Sequence, residues 1–583
     1  MRSRRIEARL WSSGIVVGLA SLAMALPGCG KGKPAPVAPT APAPAVRPPD
    51  KAATKPVTTA PGAPSIPPAA AVDEKLLAKG KELYAGNCAP CHGDTGNGAG
   101  LAARFLFPKP RNFREAKFRL VSTTNRIPSD DDLMYVLSRG MPGSAMFPFE
   151  NLSQSDRQAL VAYVRQLMRG GVEERFRKSA DELGETVDLA ELAQHIDRMT
   201  KPAATIELPP TWPVSGDESI ARGRDLYLKQ CAGCHGTTGK GDGAQEQRDD
   251  DGTPTSPRDY TRGIFKGGRD RERLYARIFL GMPGGPMPSS TNYSFEQIAD
   301  MVHFIQALSD PSAQVKVQHQ RAHLVAKRSK EKITIEGSAS LWPQVPATGI
   351  VVSPLWWRND VDPDLQVQAI HDGEVLAVRL SWRDTTRNER TIRPQEFSDK
   401  VAVQLFKGEP GVPEPFLGMG AAQNTVDMWL WEADWQADLV AFADVDTTYP
   451  DMLVEIYPLQ EPCDDHEKHP TDKQPREFLT GMAAGNLRSD FDRGLAASGL
   501  QAKGFGTLTL LPRVSQVVTA RGEWDNDRWT AVLIRPLAVS ADTGIELGVG
   551  DKVSIALAIW DGAMRDRDGQ KLVSIWHDLE LEK

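Results

Sequence analysis

Cysteine is scarce in this chain, at six in 583 residues. So low a count excludes a scaffold stapled by disulfides and leaves the few cysteines free for specific chemistry. Long apolar runs are missing too: the stretch at 14–26 falls short of the roughly 20 residues needed to cross a bilayer. Basic runs are absent beyond the first ten residues and the formal net charge is −7, which argues against a nucleic-acid partner. Aromatics make up 7% of the chain, yet 11 of its 13 tryptophans crowd between Trp342 and Trp576. That uneven placement implies domains of different kinds, and the length allows three or four.

The first 72 residues offer little from which to build a core. Arg2, Arg4, Arg5 and Arg9 precede the apolar stretch, and Leu26-Pro27-Gly28-Cys29 closes it, the layout of an export signal. The Leu-x-Gly-Cys ending of 1–29 resembles a bacterial lipoprotein box, with Cys29 as the lipidated first mature residue. Pro27 is a less usual occupant there, and ordinary cleavage nearby is the alternative. Residues 30–72 are nearly all Pro, Ala, Thr, Val and Lys and read as an extended tether. The expectation is an exported, periplasmic protein held to a membrane by a lipid anchor and not by a transmembrane helix.

Against this background one pentapeptide occurs twice: Cys88-Ala89-Pro90-Cys91-His92 and Cys231-Ala232-Gly233-Cys234-His235. Random placement of 6 cysteines and 10 histidines would yield about 0.001 copies of Cys-x-x-Cys-His. The spacing is that of c-type haem attachment. Both thiols add to the porphyrin edge, and His92 or His235 becomes an axial iron ligand. A thioredoxin-like redox pair or half a zinc site shares the cysteine spacing but does not call for the histidine that follows both times. Cys29 is then the lipid candidate, and Cys463 is left over.

The surroundings of the motif repeat as well, over 73–170 and 216–310, with 171–215 as linker. Lys81-Glu82-Leu83-Tyr84 matches Arg224-Asp225-Leu226-Tyr227, and Pro110-Arg111-Asn112-Phe113 matches Pro257-Arg258-Asp259-Tyr260. Gly140-Met141-Pro142-Gly143-Ser144-Ala145-Met146 matches Gly281-Met282-Pro283-Gly284-Gly285-Pro286-Met287. Each unit closes with a stretch of helical periodicity, near 154–168 and 295–308. Helix, haem motif, loops, methionine and closing helix, in that order, resemble class I cytochrome c over nearly the whole of each unit. The resemblance implies two small all-α domains, each with one covalent haem c and a methionine as sixth ligand. Met146 and Met287 are the candidates; Met141 and Met282 sit at equally matched positions, so the choice stays open. Arg111 and Arg258 either neutralise haem propionates or are solvated loop residues.

Beyond Lys332 helical periodicity gives way to alternation. Residues 365–370, the turn His371-Asp372-Gly373 and 374–382 read as a hairpin. Strands are also expected at 401–406, 507–511, 514–519, 529–535, 553–560 and 572–580, which predicts an all-β sandwich over 332–583. The polar stretch 461–498, with Cys463, His466 and His469, reads as an inserted loop; the two histidines suit a metal or plain solvation.

Pro354-Leu355-Trp356-Trp357-Arg358-Asn359-Asp360, Phe416-Leu417-Gly418-Met419-Gly420, Val426-Asp427-Met428-Trp429-Leu430-Trp431 and Asp568-Gly569-Gln570-Lys571 resemble the haem b-binding γ subunits of ethylbenzene dehydrogenase-type molybdoenzymes. Dimethylsulfide dehydrogenase and chlorate or selenate reductases carry similar subunits. The resemblance implies one non-covalent haem b held between a methionine and a lysine, carried over here to Met419 and Lys571, with Lys503 as the rival lysine. Read without it, Met419 is an interior packing residue and Lys571 a solvated one.

Three functions follow as expectations. The first is a non-catalytic electron-transfer protein with two c haems and one b haem, partnered by molybdenum or Fe–S oxidoreductase subunits or other redox proteins. The second is a dihaem peroxidase, which needs a haem with an open distal position where both units offer methionines. The third is a dihaem cytochrome whose sandwich binds a carbohydrate or a partner.

Overall fold

A computed structural model describes residues 73–358, 361–362, 364–409, 414–452, 481, 484–490 and 493–583. Cys29, Cys463, His466 and His469 lie outside the described residues. Among the described residues no helix is long and apolar enough to cross a membrane. The architecture is multidomain, a helical N-terminal region followed by a mostly β C-terminal one.

The two helical units repeat one plan. Each opens with a 14-residue helix, Glu74–Asn87 or Asp217–Gln230, that runs directly into the haem motif. Each closes with a helix whose N-cap is a serine, Ser153 or Ser294, accepting from the backbone three residues on. Opening and closing helices cross against each other, and their buried faces carry Leu83, Tyr84, Leu160 and Val161 in unit 1 and Tyr227, Ile298, Met301 and Val302 in unit 2. The buried tyrosines tie the crossing to the motif: Tyr84 donates to the carbonyl of Gly93 at 2.8 Å and Tyr227 to that of Gly236 at 2.9 Å.

The closing helix of unit 1 runs from Gln154 to Leu183, well past the expected 168. The connection that follows is itself folded. A helix at Leu189–Thr200 turns back to bury Leu192 and Ile196 in unit 1, and Trp212 packs edge-on against Phe295 of unit 2.

The sandwich is one continuous path of strands bent into two layers. One layer runs Ala497–Ala502, Val426–Glu432, Lys400–Phe406, Lys552–Trp560 and His577–Leu581; the other runs Asp364–His371, Val375–Arg383, Arg528–Pro536 and Thr519–Asp525. The strand His323–Arg328 joins them by parallel pairing to His577–Leu581 and to Asp364–His371, while the remaining neighbours are antiparallel. Between the layers lie Trp382, Trp429, Trp431 and Trp529, with the aliphatic residues of alternate positions. The expected strand at 514–519 is instead a 3₁₀ turn, Arg513–Ser515, with the strand starting at Thr519. The expected strand at 572–580 is split into Leu572–Val573 and His577–Leu581.

Candidate functional site

The haem motif forms a short helical turn in both units, Ala89–His92 and Ala232–His235. A glycine with positive φ caps each turn and bends the chain away, so that the histidine ring faces a cavity. In unit 1 a cavity of about 220 Å³ is lined by Cys88, Cys91 and His92 on one side and by Met141 and Met146 on the other. In unit 2 a cavity of about 260 Å³ takes Cys231, Cys234 and His235 with Met282 and Met287.

These linings suit a covalently held porphyrin. His92 Nδ1 lies 2.9 Å from the carbonyl of Arg111; donation there leaves Nε2 as the free lone pair for iron. Its ring stacks on Phe113, and Phe113 stacks on Phe118. The same ladder recurs as His235, Tyr260 and Phe265. Burial pushes both imidazoles down to about 4, against the hydrogen bond to the Arg111 carbonyl at His92 and with added repulsion from Lys266 at His235, so each stays neutral, as a metal ligand must. His235 Nδ1 is buried without a hydrogen-bond partner among the described residues. Met146 and Met287 also pack against the apolar core of their own unit. Backbone hydrogen bonds from Met141 to Met146 (2.7 Å) and from Met282 to Met287 (3.0 Å) close the two loops. Both methionines of each loop reach the cavity, and the lining alone does not choose between them.

Between the two cavities sits a cluster of cations that the linear reading had only half seen. Arg119 and Lys266 each line both cavities, although one belongs to unit 1 and the other to unit 2. They occupy matching places in the repeat, eight residues after Arg111 and Arg258, which is the signal that was available. Arg111 donates to the carbonyl of Gly284 in unit 2 at 3.2 Å, and Arg258 reciprocates to Gly143 in unit 1 at 2.7 Å. A second exchange backs the first. Arg139 donates to the carbonyls of Phe265 and Lys266, and Arg277 to those of Arg119 and Val121. The units therefore face each other across an approximate two-fold axis, each inserting arginines into the other.

Asp249 pairs with Arg119 and stands 4.0 Å from Arg111. Burial, together with Arg119, pushes Arg258 down to about 9. Burial also holds Lys266 well below the usual lysine range, with Arg258 and Arg119 adding repulsion. Arg258 Nη2 is buried with no hydrogen-bond partner among the described residues. Four cations around one carboxylate form a place for further anionic groups, and haem propionates have that charge.

The sandwich presents its own apolar platform. On the outer side of one layer, alternate positions carry Ala402, Ala502 and Ala556, with Ala558 beside them, ringed by Met428, Leu430 and Leu500. Small side chains leave a flat floor that a planar ligand can cover. Met419 and Trp560 pack against this floor. Met419 holds φ at 91°, a strained backbone for a non-glycine residue and one that marks functional loops. Lys571 places its amine 4.7 Å from the centre of the Trp560 ring, and burial pushes that amine down to about 8. Lys503 is exposed, although its neighbour Gly504 bonds the Met419 carbonyl at 2.8 Å.

Unit 1 meets this platform. Phe105 packs where a Cβ on Gly569 would stand 2.6 Å from its ring, and it lies 5.9 Å from the Phe505 ring. It thus bridges the loop of Lys571 and the loop bonded to Met419. Leu417 and Trp576 belong to the platform's cluster and also line the cavity of unit 1. Phe105 and Trp576 lay outside every motif and sequence reasoning missed them, while Leu417 lay within one but was given no role.

Comparison with known proteins agrees with this division. The cytochrome c family model matches residues 77–168 and 220–309, and the ethylbenzene dehydrogenase model matches 339–572. A haem subunit named for a respiratory nitrate reductase in Haloferax mediterranei is 26% identical over 41% of this chain and 66% of its own length. The chlorate reductase γ subunit of Ideonella dechloratans is 25% identical over 42% of this chain and 78% of its own. Among solved structures, a chain of the Kuenenia stuttgartiensis reducing HAO-like protein complex is 31% identical over 40% of this chain and 96% of its own, with a TM-score of 0.34. The chain spans about two thirds of the length of the first of these relatives. It is an electron-transfer haem protein in which two cytochrome c domains are joined to a domain of the ethylbenzene dehydrogenase family.

Proposed function

We propose that the chain relays single electrons along three haem sites in the order sandwich platform, unit 1, unit 2. The observation that carries the order is the position of the unit 1 cavity. It shares Leu417 and Trp576 with the platform and Arg119 and Lys266 with the cavity of unit 2. Bound haem supplies an iron that alternates between ferrous and ferric states. The protein's part is to hold the ligands, exclude water and keep the sites in contact. Cys88, Cys91, His92 and Met146 would hold the first c haem, Cys231, Cys234, His235 and Met287 the second. Met419 and Lys571 would hold the b haem.

The relatives' names support a place beside a larger oxidoreductase; a partner of molybdenum or Fe–S type, with electrons handed to or taken from a periplasmic or membrane carrier, completes the proposal. Anchoring through a lipid on Cys29 belongs to the same reading. A pyridine-haemochrome spectrum of the intact protein tests the count and should give two c haems for each b; a protein without b haem would remove the sandwich from the relay. Cys231→Ser with Cys234→Ser tests the order in stopped-flow reduction. Exchange between the b haem and the remaining c haem should stay rapid, and its disappearance would overturn the order.

A further inference from the structure

We infer that Asp384, Asp399 and Asp561 form a binding site for one calcium ion at the strand ends that adjoin Trp560. One oxygen from each of the three carboxylates lies within 4.8 Å of the other two. Asp384 and Asp399 are buried, at 6% and 0% exposure. Three carboxylates so close repel one another, and burial leaves little water to screen them.

The independent observation is Asp384 Oδ2. It is buried, belongs to a side chain more than nine-tenths buried, and has no hydrogen-bond partner among the described residues. Its sister oxygen is satisfied, accepting from the backbone N–H and the hydroxyl of Thr386 at 3.0 and 2.9 Å. Asp399 is held differently. Its Oδ1 accepts from the Gly562 N–H at 2.8 Å, and its Oδ2 from the Asn388 N–H at 2.7 Å and the Trp529 indole at 2.9 Å. Three N–H donors fix this carboxylate as an acceptor but bring no positive charge. Without a cation, burial and mutual repulsion push Asp384 up to about 6 and Asp399 up to about 7.

The chemistry selects the ion. All the donors are hard oxygens, which suit calcium or magnesium and not zinc or copper. Calcium binds oxygen at about 2.3–2.6 Å, so its ligand atoms lie up to about 5 Å apart, while magnesium's shorter bonds limit them to about 4 Å. Oxygens that all lie within 4.8 Å of one another fit calcium's longer bonds and variable coordination, with carbonyls and water completing its shell.

The ion would act as a clip. Asp384 directly follows the strand Val375–Arg383 in one layer, and Asp399 directly precedes Lys400–Phe406 in the other. Asp561 directly follows Lys552–Trp560 and opens the segment that ends at Lys571. One cation would therefore fasten both layers and the base of the lysine-bearing loop.

The test uses the full holoprotein, stripped with EGTA and then exposed to calcium chloride. Calcium is counted by atomic emission after gel filtration, and unfolding of the sandwich is followed by tryptophan fluorescence. The expected result is about one tightly held calcium per chain and a melting midpoint that rises with added calcium. Asp399→Asn and Asp384→Asn should each lose that ion and the calcium-dependent rise. The Asp384 variant keeps an acceptor oxygen for the Thr386 N–H and hydroxyl and keeps the fold testable. Background calcium in the wild type with an unmoved midpoint would overturn the site and leave a proton shared between Asp384 and Asp399. Full calcium retention by a folded Asp384→Asn would overturn it equally. Neither result touches the haem count, so this inference and the relay fail separately.

Discussion

Replacing Gly223 by alanine should unseat the second haem unit, although alanine is the better helix former. Gly223 lies on the opening helix at its crossing with the closing helix. A Cβ there would stand 1.9 Å from the carbonyl oxygen of Asp300 and 2.5 Å from its carbon. Ordinary contact begins at about 3.4 Å, so the helices must part by about 1 Å or more, enough to forfeit a quarter to a half of each close dispersion contact across the crossing. The atoms met are backbone and cannot swing aside. Overpacking of this kind costs about 1–3 kcal/mol or more, against a helix-propensity gain of about 0.5–1 kcal/mol. A net loss of about 2 kcal/mol would lower the midpoint of a unit this size by roughly 10 °C. Tyr227, Met301 and Ile305 stand beside the crossing and line the cavity, so the methionine–iron band of this unit reports the loss directly.

Gly80→Ala should do the same in unit 1, where the Cβ would stand 2.1 Å from the carbonyl oxygen of Ala159. Gly86 supplies the control on the same helix. Nothing lies within 4 Å of its Cβ position, so Gly86→Ala should stabilise by about 0.5–1 kcal/mol. If Gly223→Ala and Gly86→Ala both raise the midpoint of their unit, the argument from close helix approach is refuted.

Met146→Ala and Met287→Ala should each remove one share of the methionine–iron absorption and lower the potential of that haem, because reduced iron loses its thioether; the same result from Met141→Ala or Met282→Ala would move the assignment. Arg119→Gln should lower the potentials of both c haems in spectroelectrochemical titration, since the lost charge borders both cavities; a shift confined to one haem would end the shared-cluster reading. In the protein free of b haem Lys571 is pushed from 10.5 to about 8, so between those values the unfolded chain binds the extra proton and stability rises with pH. The penalty is fully present below about pH 8 and amounts to at most about 3 kcal/mol, an upper bound because part of the residue is open to solvent. Lys571→Met should flatten that pH dependence in denaturant titrations and cost the b haem its low-spin spectrum.

The haem motifs were legible because covalent attachment fixes residue type and spacing, and the repeat because two copies of one fold need the same turns. The central strands were legible because branched apolar residues recur at alternate positions, as in Lys400–Phe406, where Val401, Val403 and Leu405 point to the core between the layers. At the rim that signal fades. Thr519–Asp525 pairs on one side only and exposes Arg521 and Glu523, so its alternation is polar and the strand was placed too early. The break after Val573 has a local cause: Ser574 Oγ takes the N–H of Leu557 at 2.9 Å and donates to the carbonyl of Ile575, interrupting the ladder. Gly170-Gly171 has the composition of a helix stop, yet the helix continues. Gly171 lies where a Cβ would stand 2.3 Å from the Arg114 carbonyl oxygen, so it serves close approach and not termination. Arg111 and Arg258 show where a linear reading ends. Each could be suspected of meeting a propionate, but each guanidinium bonds the other unit's loop. A repeat states that two residues are equivalent and is silent on which copy they serve. That is settled only when the two units meet, and their meeting puts Arg119 and Lys266 on the boundary that both haems would share.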